Sequence, residues 1–332
     1  MPALRLSAAF SRNPMTAALH DGTVAPEGVS WTVSALHPSE MFWRQLRFAE
    51  FDVSEMSLSS LAISVAKGDR SWVALPIFTT RRFFHTAIMV RSDAGIDTPQ
   101  QLAGKRVGVP EYQQTAAVWS RGALRHEFGV QPEDLRWYME RAPERSHGGA
   151  TSFAPPAGVE LSYIPPPESI GGMLASGDLD AALVYIADAN LVDRTRATAA
   201  EHGRLRPLFA DPVAEGIRYH QATGLLPVNH CVVIRAGLAG QHPWLALNLM
   251  GAFAAAKDKQ TAALAELLGP YRQVGGIPAA DVAQVTAADP LPYGVTGQRQ
   301  TLETLMTYLV EQELAPRKVD LAELFAASTL DI

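Results

Sequence analysis

Apolar and polar positions along the first ninety residues alternate between two periods. Short apolar runs at residues 4–10, 29–34, 51–56, 72–77 and 86–91 read as buried strands. Between them, residues 39–47 place Phe42, Trp43 and Leu46 at helical spacing, and residues 57–66 form an apolar segment with Ser57 or Ser59 as its N-cap. This alternation predicts a parallel sheet with helices on its faces. A polar connector at 93–104 is followed by a second series, with strands at 107–109, 135–138, 161–164 and 181–184 and helices at 115–128 and 169–176. Residues 140–157 mix Gly, Pro and Arg without periodicity and are expected to form a surface loop. After a strand at 231–235 the pattern is helical, at 243–259, 262–268 and 299–313.

Two strands look alike. His85-Thr86-Ala87-Ile88-Met89-Val90-Arg91 and His230-Cys231-Val232-Val233-Ile234-Arg235 each begin with His and end with Arg. They are read as two crossings between α/β lobes, the first lobe made of residues 1–91 plus 229–332 and the second of 92–228. A doubly crossed pair of lobes makes a ligand cleft at its junction and closes by hinge motion.

Composition narrows the function classes. The chain has 332 residues, enough for two domains, with 47% hydrophobic and 19% charged residues. A net charge of −6 argues against a nucleic-acid surface. Only Lys67, Lys105, Lys257, Lys259 and Lys318 among the 28 basic residues are lysines. Arginine, whose fork matches carboxylates, therefore dominates. A single cysteine, Cys231, allows no internal disulfide and no thiolate metal site. No His-x3-His or HExxH spacing points to a metal, and no apolar run is long enough for a membrane span. The first residues lack the apolar core of a signal peptide, so a cytoplasmic location is expected.

The most informative stretch is Gly108-Val109-Pro110-Glu111-Tyr112-Gln113-Gln114-Thr115-Ala116-Ala117-Val118-Trp119. A buried strand ends at Pro110, and polar residues open a helix. Unpaired N–H groups and the helix dipole favour an anion there, so an acidic ligand is expected.

Here the chain resembles a known family. "TPQQLAGKRVGVP" (98–110) and "MLASGDLDAA" (173–182) are similar to type II periplasmic binding proteins. "FWRQLRFAEFDVSEMSLSS" (42–60), "GVPEYQQTAAVWSRG" (108–122), "HCVVIR" (230–235), "HPWLALNLMGAF" (242–253) and "DPLPYG" (289–294) resemble the 4,5-dihydroxyphthalate decarboxylase family. The resemblance runs from about residue 4 to 325 and is weak at 140–157 and 185–220. It implies a two-lobed α/β, type II periplasmic-binding-protein-like fold with two hinge crossings and a helical C-terminal region. It also implies loss of one carboxylate from 4,5-dihydroxyphthalate to give protocatechuate and CO2; the competing readings are a non-catalytic solute-binding protein for an aromatic or other organic acid and a decarboxylase of another hydroxylated phthalate or benzoate. Two departures bear on substrate. The family carries an arginine where Phe84 stands, and a small, Ser/Ala-rich segment where Val184-Tyr185-Ile186-Ala187-Asp188 stands.

Decarboxylating an electron-rich arene calls for no cofactor. It needs a base near the phenol para to the leaving group, an acid over the ring carbon, and cations for the carboxylates. His85, His230 and Glu111 are the candidate proton carriers. Arg81 and Arg82, beside the first crossing, lead the carboxylate clamps, with Arg44 and Arg121 behind them. Ser57 and Ser59, at a strand-to-helix turn, and Tyr112, Gln113 and Thr115 are candidate ligand contacts. Tyr293 reads as a turn residue. The C-terminal helices fit either closure of a monomer or a homo-oligomer face.

Overall fold

The structure, a computed structural model, describes residues 2–196 and 203–332. Part of the weak zone at 185–220, residues 197–202, lies outside the described residues. Among the described residues, eleven strands form two sheets. In chain order they are β1 (Leu4–Phe10), β2 (Val29–Ala35), β3 (Val53–Ser57), β4 (Trp72–Leu75), β5 (Met89–Arg91), β6 (Arg106–Val109), β7 (Arg136–Met139), β8 (Glu160–Tyr163), β9 (Ala181–Ala182), β10 (Leu205–Pro207) and β11 (His230–Arg235).

The first sheet has the order β2-β1-β3-β11-β4 and the second β10-β5-β9-β6-β7-β8. Strands β1, β2 and β3 run parallel, and β11 inserts antiparallel between β3 and β4. In the second sheet β6 to β9 are parallel, while β5 pairs antiparallel with β9 and β10. Every residue of β3 is buried, as is every residue of the helix Leu58–Ala66 that follows it. The polar side chains of this stretch, Ser54, Glu55, Ser57, Ser59 and Ser60, are accordingly hydrogen-bonded inside the protein.

Three elements depart from the sequence reading. The expected strand at 86–91 is a 3-10 turn over Phe84–Ala87 and then the three residues of β5, because Thr86 Oγ1 donates to the Phe83 carbonyl and Ile88 N–H to that of His85. Since β5 pairs in the second sheet, the passage between sheets lies in residues 76–88, upstream of the boundary at 91. Residues 140–157 do not form a surface loop: Glu140, Arg141, Ser146, His147 and Thr151 are buried, each polar group satisfied within the fold. The helices expected at 243–259 and 262–268 are one helix, Leu245–Gln273.

The two crossing segments lie side by side. Arg81 and Val228 form an antiparallel bridge, and Asn229 N–H donates to the Thr80 carbonyl at 3.0 Å. The C-terminal helix Arg299–Glu311 packs on the helix Thr115–Phe128, so the largest apolar cluster joins residues from both sheets. Gly122 permits this contact: a Cβ there would lie 2.1 Å from the Tyr308 ring.

Candidate active site

A cavity of about 270 Å3 opens where the two crossings meet the second lobe. Three helices turn their N-termini toward it: Pro38–Phe48, Leu58–Ala66 and Thr115–Phe128. Neither Ser57 nor Gln114, the N-cap residues of the last two, caps its helix with its side chain. Converging N-termini make the cavity favourable to anions. Arg82, exposed at its wall, adds a full positive charge.

His230 stands on this wall at the start of β11, where it pairs in register with Ser57 of β3. Its Nδ1 lies 3.1 Å from Glu55 Oε2. Glu55 is fully buried and also accepts from Ser11 N–H at 2.8 Å, Ser11 Oγ at 2.7 Å and Thr79 Oγ1 at 2.7 Å. Burial alone would raise its pKa, but His230 and the hydroxyl donors outweigh burial and hold it below the usual carboxylate range. An ionised carboxylate only accepts, so His230 directs Nδ1–H at it and keeps Nε2 for the other side. The Asn229 side-chain nitrogen is 2.7 Å from that Nε2, and the Phe42 ring packs edge-on against the imidazole at 4.6 Å. A buried carboxylate orienting a histidine that faces a cavity is a proton-transfer arrangement.

The second lobe supplies Arg141 and His147, both buried and both on the cavity wall. Arg141 grips Asp193 through Nε at 2.6 Å and Nη2 at 2.9 Å, and Nη2 also donates to Ser39 Oγ at 2.7 Å. Burial, reinforced by the Arg141 charge, pushes the pKa of His147 well below its usual value, so its ring stays neutral. His147 Nδ1 is 3.0 Å from Ser60 Oγ, which donates to Ser57 Oγ at 3.2 Å. Ser57 and Thr115, also on the wall, are 2.9 Å apart at their hydroxyls.

Of the sequence-derived candidates, the structure brings His230, Ser57, Arg82 and Thr115 together at the cavity. Ser59 lies one layer behind, donating to the Gln113 carbonyl at 2.6 Å. His85 is buried away from the cavity, 3.1 Å from Glu215 Oε1 and packed on Phe209 and Tyr219. Glu111 is fully buried behind His147 and accepts its N–H at 2.9 Å. Burial raises the Glu111 pKa against the pull of Arg141. Arg81 turns to the Leu226 carbonyl and Gln298, and Arg44 pairs with Glu40 and Glu50 on the outer face. Tyr112 is buried beneath the Arg121 guanidinium, 3.8 Å from its ring centre, so Arg121 does not face solvent. Gln113 donates to Thr151 Oγ1 at 2.6 Å.

Sequence reasoning missed Glu55, Arg141 and His147. Glu55 sits mid-strand between Ser54 and Met56, and a lone charge in a buried strand was the signal available. Arg141 and His147 fell in the aperiodic stretch, which offered none. Of the positions that depart from the family pattern, Phe84, Val184, Tyr185, Ile186 and Asp188 line the cavity.

Among the described residues, no cluster of three or more His, Cys, Asp or Glu is placed to hold a metal, and no helix is long and apolar enough to cross a membrane. No family model matches the chain. It is 32% identical over 336 residues to a 4,5-dihydroxyphthalate decarboxylase of Comamonas testosteroni, covering 100% of this chain and 99% of that one. It is 39% identical over 183 residues to a 4,5-dihydroxyphthalate decarboxylase of Pseudomonas putida, covering 55% of this chain and 71% of that one. Among solved structures, the periplasmic aliphatic sulphonate binding protein of Escherichia coli aligns at TM-score 0.57 and 13% identity, over 98% of both chains. The alkanesulfonate-binding protein of Xanthomonas axonopodis pv. citri, bound to MOPS, aligns at TM-score 0.57 and 14% identity, over 99% of both. These two likenesses establish the type II periplasmic-binding-protein-like fold.

Proposed function

Since the chain belongs to the 4,5-dihydroxyphthalate decarboxylase family, we propose that it is a carboxy-lyase that converts 4,5-dihydroxyphthalate to protocatechuate and CO2, with His230 delivering the proton to the ring. The observation that carries this reading is the buried Glu55–His230 pair opening onto an anion-favouring cavity. A receptor that only binds a solute has no use for a histidine held in one tautomer by a desolvated carboxylate.

In this mechanism the two ortho carboxylates lie toward Arg82 and the helix N-termini. The hydroxyl para to the leaving carboxylate donates electron density into the ring. With the Asn229 amide turned away from Nε2, protonated His230 delivers its Nε2–H to the carbon that bears that carboxylate, and aromaticity is lost. The C–C bond then breaks, its electron pair restores the ring, and CO2 departs. The imidazole regains its proton from solvent, so one proton replaces one CO2 per turnover. Glu55 stabilises the imidazolium before the transfer and holds the ring in place after it. Phe42 and the half-buried Tyr185 and Ile186 form apolar walls for the arene.

Incubation with 4,5-dihydroxyphthalate in D2O tests the reading. Protocatechuate should form with one deuterium at the vacated carbon, and His230→Gln should bind substrate without releasing CO2. Folded wild-type protein that binds 4,5-dihydroxyphthalate and never releases CO2 would instead be a solute receptor, the role named for its fold neighbours.

A further inference from the structure

Most charges at the cavity are matched inside the protein. Arg141 grips Asp193, and His230 faces Glu55. On the wall, Arg82 and Asp188 are the exceptions. Among the described residues, neither side chain forms a hydrogen bond or an ion pair, with the other or with a third group. Asp188 also carries the only carboxylate among the described wall residues. Its side chain is exposed, but its backbone is held in place. Asn190 Nδ2 donates to the Asp188 carbonyl at 3.0 Å and to Asp193 Oδ2 at 3.1 Å. Asn190 Oδ1 accepts the N–H groups of Val192 at 2.9 Å and Asp193 at 2.8 Å. The loop that carries Asp188 is thus tied to the buried Arg141–Asp193 pair.

Asp188 belongs to the corner of the cavity where the helix Pro38–Phe48 begins. Burial lowers the pKa of His37, the N-cap of that helix, and Asp193, Arg141 and Asp188 are among the charges that act on it. This helix start differs from the other two. His37 Nδ1 accepts Ser39 N–H at 3.3 Å, and Pro38 has no N–H to offer. Two of the orphan donors that would hold an anion are therefore gone, and the Asp188 charge adds to the deficit. The helices Leu58–Ala66 and Thr115–Phe128 start without a side-chain cap. Substrate carboxylates thus belong with those two helix starts and Arg82, and the Asp188 corner is left for a different group.

Resting on the decarboxylase reading, we propose that Asp188 is the specificity-determining contact for the hydroxyl edge of the substrate, accepting a phenolic O–H and rejecting a ring that carries a carboxylate at that position. An ionised carboxylate can only accept, whatever its neighbours do, so a ligand must bring a hydrogen to it. A second anion there meets like charge and is excluded. In 4,5-dihydroxyphthalate the two carboxylates and the two hydroxyls lie on opposite edges of the ring. A wall with one unmatched cation and one unmatched anion complements that polarity. As the ring is protonated, positive charge spreads to the para hydroxyl, and its hydrogen bond to a carboxylate strengthens.

The test is equilibrium binding of 4-hydroxyphthalate and benzene-1,2,4-tricarboxylate, which share two ortho carboxylates and differ at the third substituent. A cavity that merely favours anions would prefer the tricarboxylate. With Asp188 in place, the wild type should bind the hydroxy compound about tenfold more tightly, the ratio expected for one charged hydrogen bond at a partly exposed site. Asp188→Asn keeps the shape and removes the charge, and should bring the ratio below about threefold or invert it. Asp188→Ala, read the same way, covers a failure of the asparagine variant to fold. Equal binding by the wild type, a preference for the tricarboxylate, binding of neither compound, or a hydroxyl preference that survives in a folded variant overturns the proposal. The measurement requires no turnover: a protein that never releases CO2 from 4,5-dihydroxyphthalate sinks the decarboxylase reading and leaves this ratio as it is.

Discussion

Replacing Glu55 with glutamine changes one atom and reverses the polarity of a buried contact of the site. Glu55 Oε1 accepts from Ser11 N–H and Oγ, and an amide oxygen in that position still does so. Oε2 accepts from Thr79 Oγ1 at 2.7 Å and from His230 Nδ1 at 3.1 Å. The glutamine nitrogen there is a donor. Thr79 can rotate its hydroxyl to accept, but His230 must move its hydrogen from Nδ1 to Nε2 for Nδ1 to accept. The imidazole is then locked in the other tautomer, with no carboxylate to stabilise its cationic form. A hydrogen bond to a charged group contributes about 1.5–3 kcal/mol, and Glu55 is fully buried. General acid catalysis is worth about 10²–10⁴-fold, and most of it should disappear. We expect kcat for decarboxylation to fall about 10²–10³-fold while KM changes less than about threefold, because Glu55 is not on the cavity wall. Initial rates of protocatechuate formation measure this, and urea unfolding shows whether the variant remains folded. A folded Glu55→Gln enzyme with kcat within about threefold of the wild type would refute the assignment of His230.

Neighbouring arginines should behave differently. Arg82→Ala should raise KM about tenfold or more through loss of a charged contact to carboxylate, whereas Arg81→Ala should leave KM unchanged and lower stability, since Arg81 holds the Leu226 carbonyl and Gln298. Steady-state kinetics and urea unfolding on both variants separate the two effects. Gly122→Ala should destabilise by about 1–3 kcal/mol, because its methyl meets the Tyr308 ring at 2.1 Å and the two packed helices must part; a urea midpoint equal to the wild type would show that the contact is soft. Acid should destabilise the protein below pH 6.5. Burial lowers the pKa of His147 and of His85 in the folded state, so the unfolded chain binds more protons there and stability falls, by at most about 1.4 kcal/mol per pH unit for each. The depressed Glu55 adds to the loss only below its ordinary range, near pH 4.5, while the raised Glu111 acts in the opposite sense. Urea midpoints at pH 7 and pH 5.5 measure it, and a midpoint that does not fall at pH 5.5 contradicts burial of two neutral histidines.

The alternation of strand and helix, the likeness of the two His-to-Arg strands and the "HCVVIR" and "GVPEYQQTAAVWSRG" stretches are local properties of the chain. Period, capping and turn chemistry act within a few residues, so the two-lobed α/β architecture and the family were legible from them. So were Ser57, Thr115 and His230, because each sits where a strand ends or begins, and such termini face the cleft in this kind of fold. Which of two similar histidines reaches that cleft was not local. His85 and His230 open strands of the same appearance, yet the 3-10 turn at Phe84–Ala87 sends His85 to Glu215, while insertion of β11 between β3 and β4 sets His230 against Glu55, 175 residues away in sequence. Arg141, His147 and Asp193 are charged or polar residues in segments without period, and only their mutual pairing makes burial affordable. Sequence by itself determined the alternation of strands and helices in two lobes and the family. Tertiary structure decided which titratable groups are desolvated together, because the cost of burying a charge is met by partners that the chain brings together only on folding.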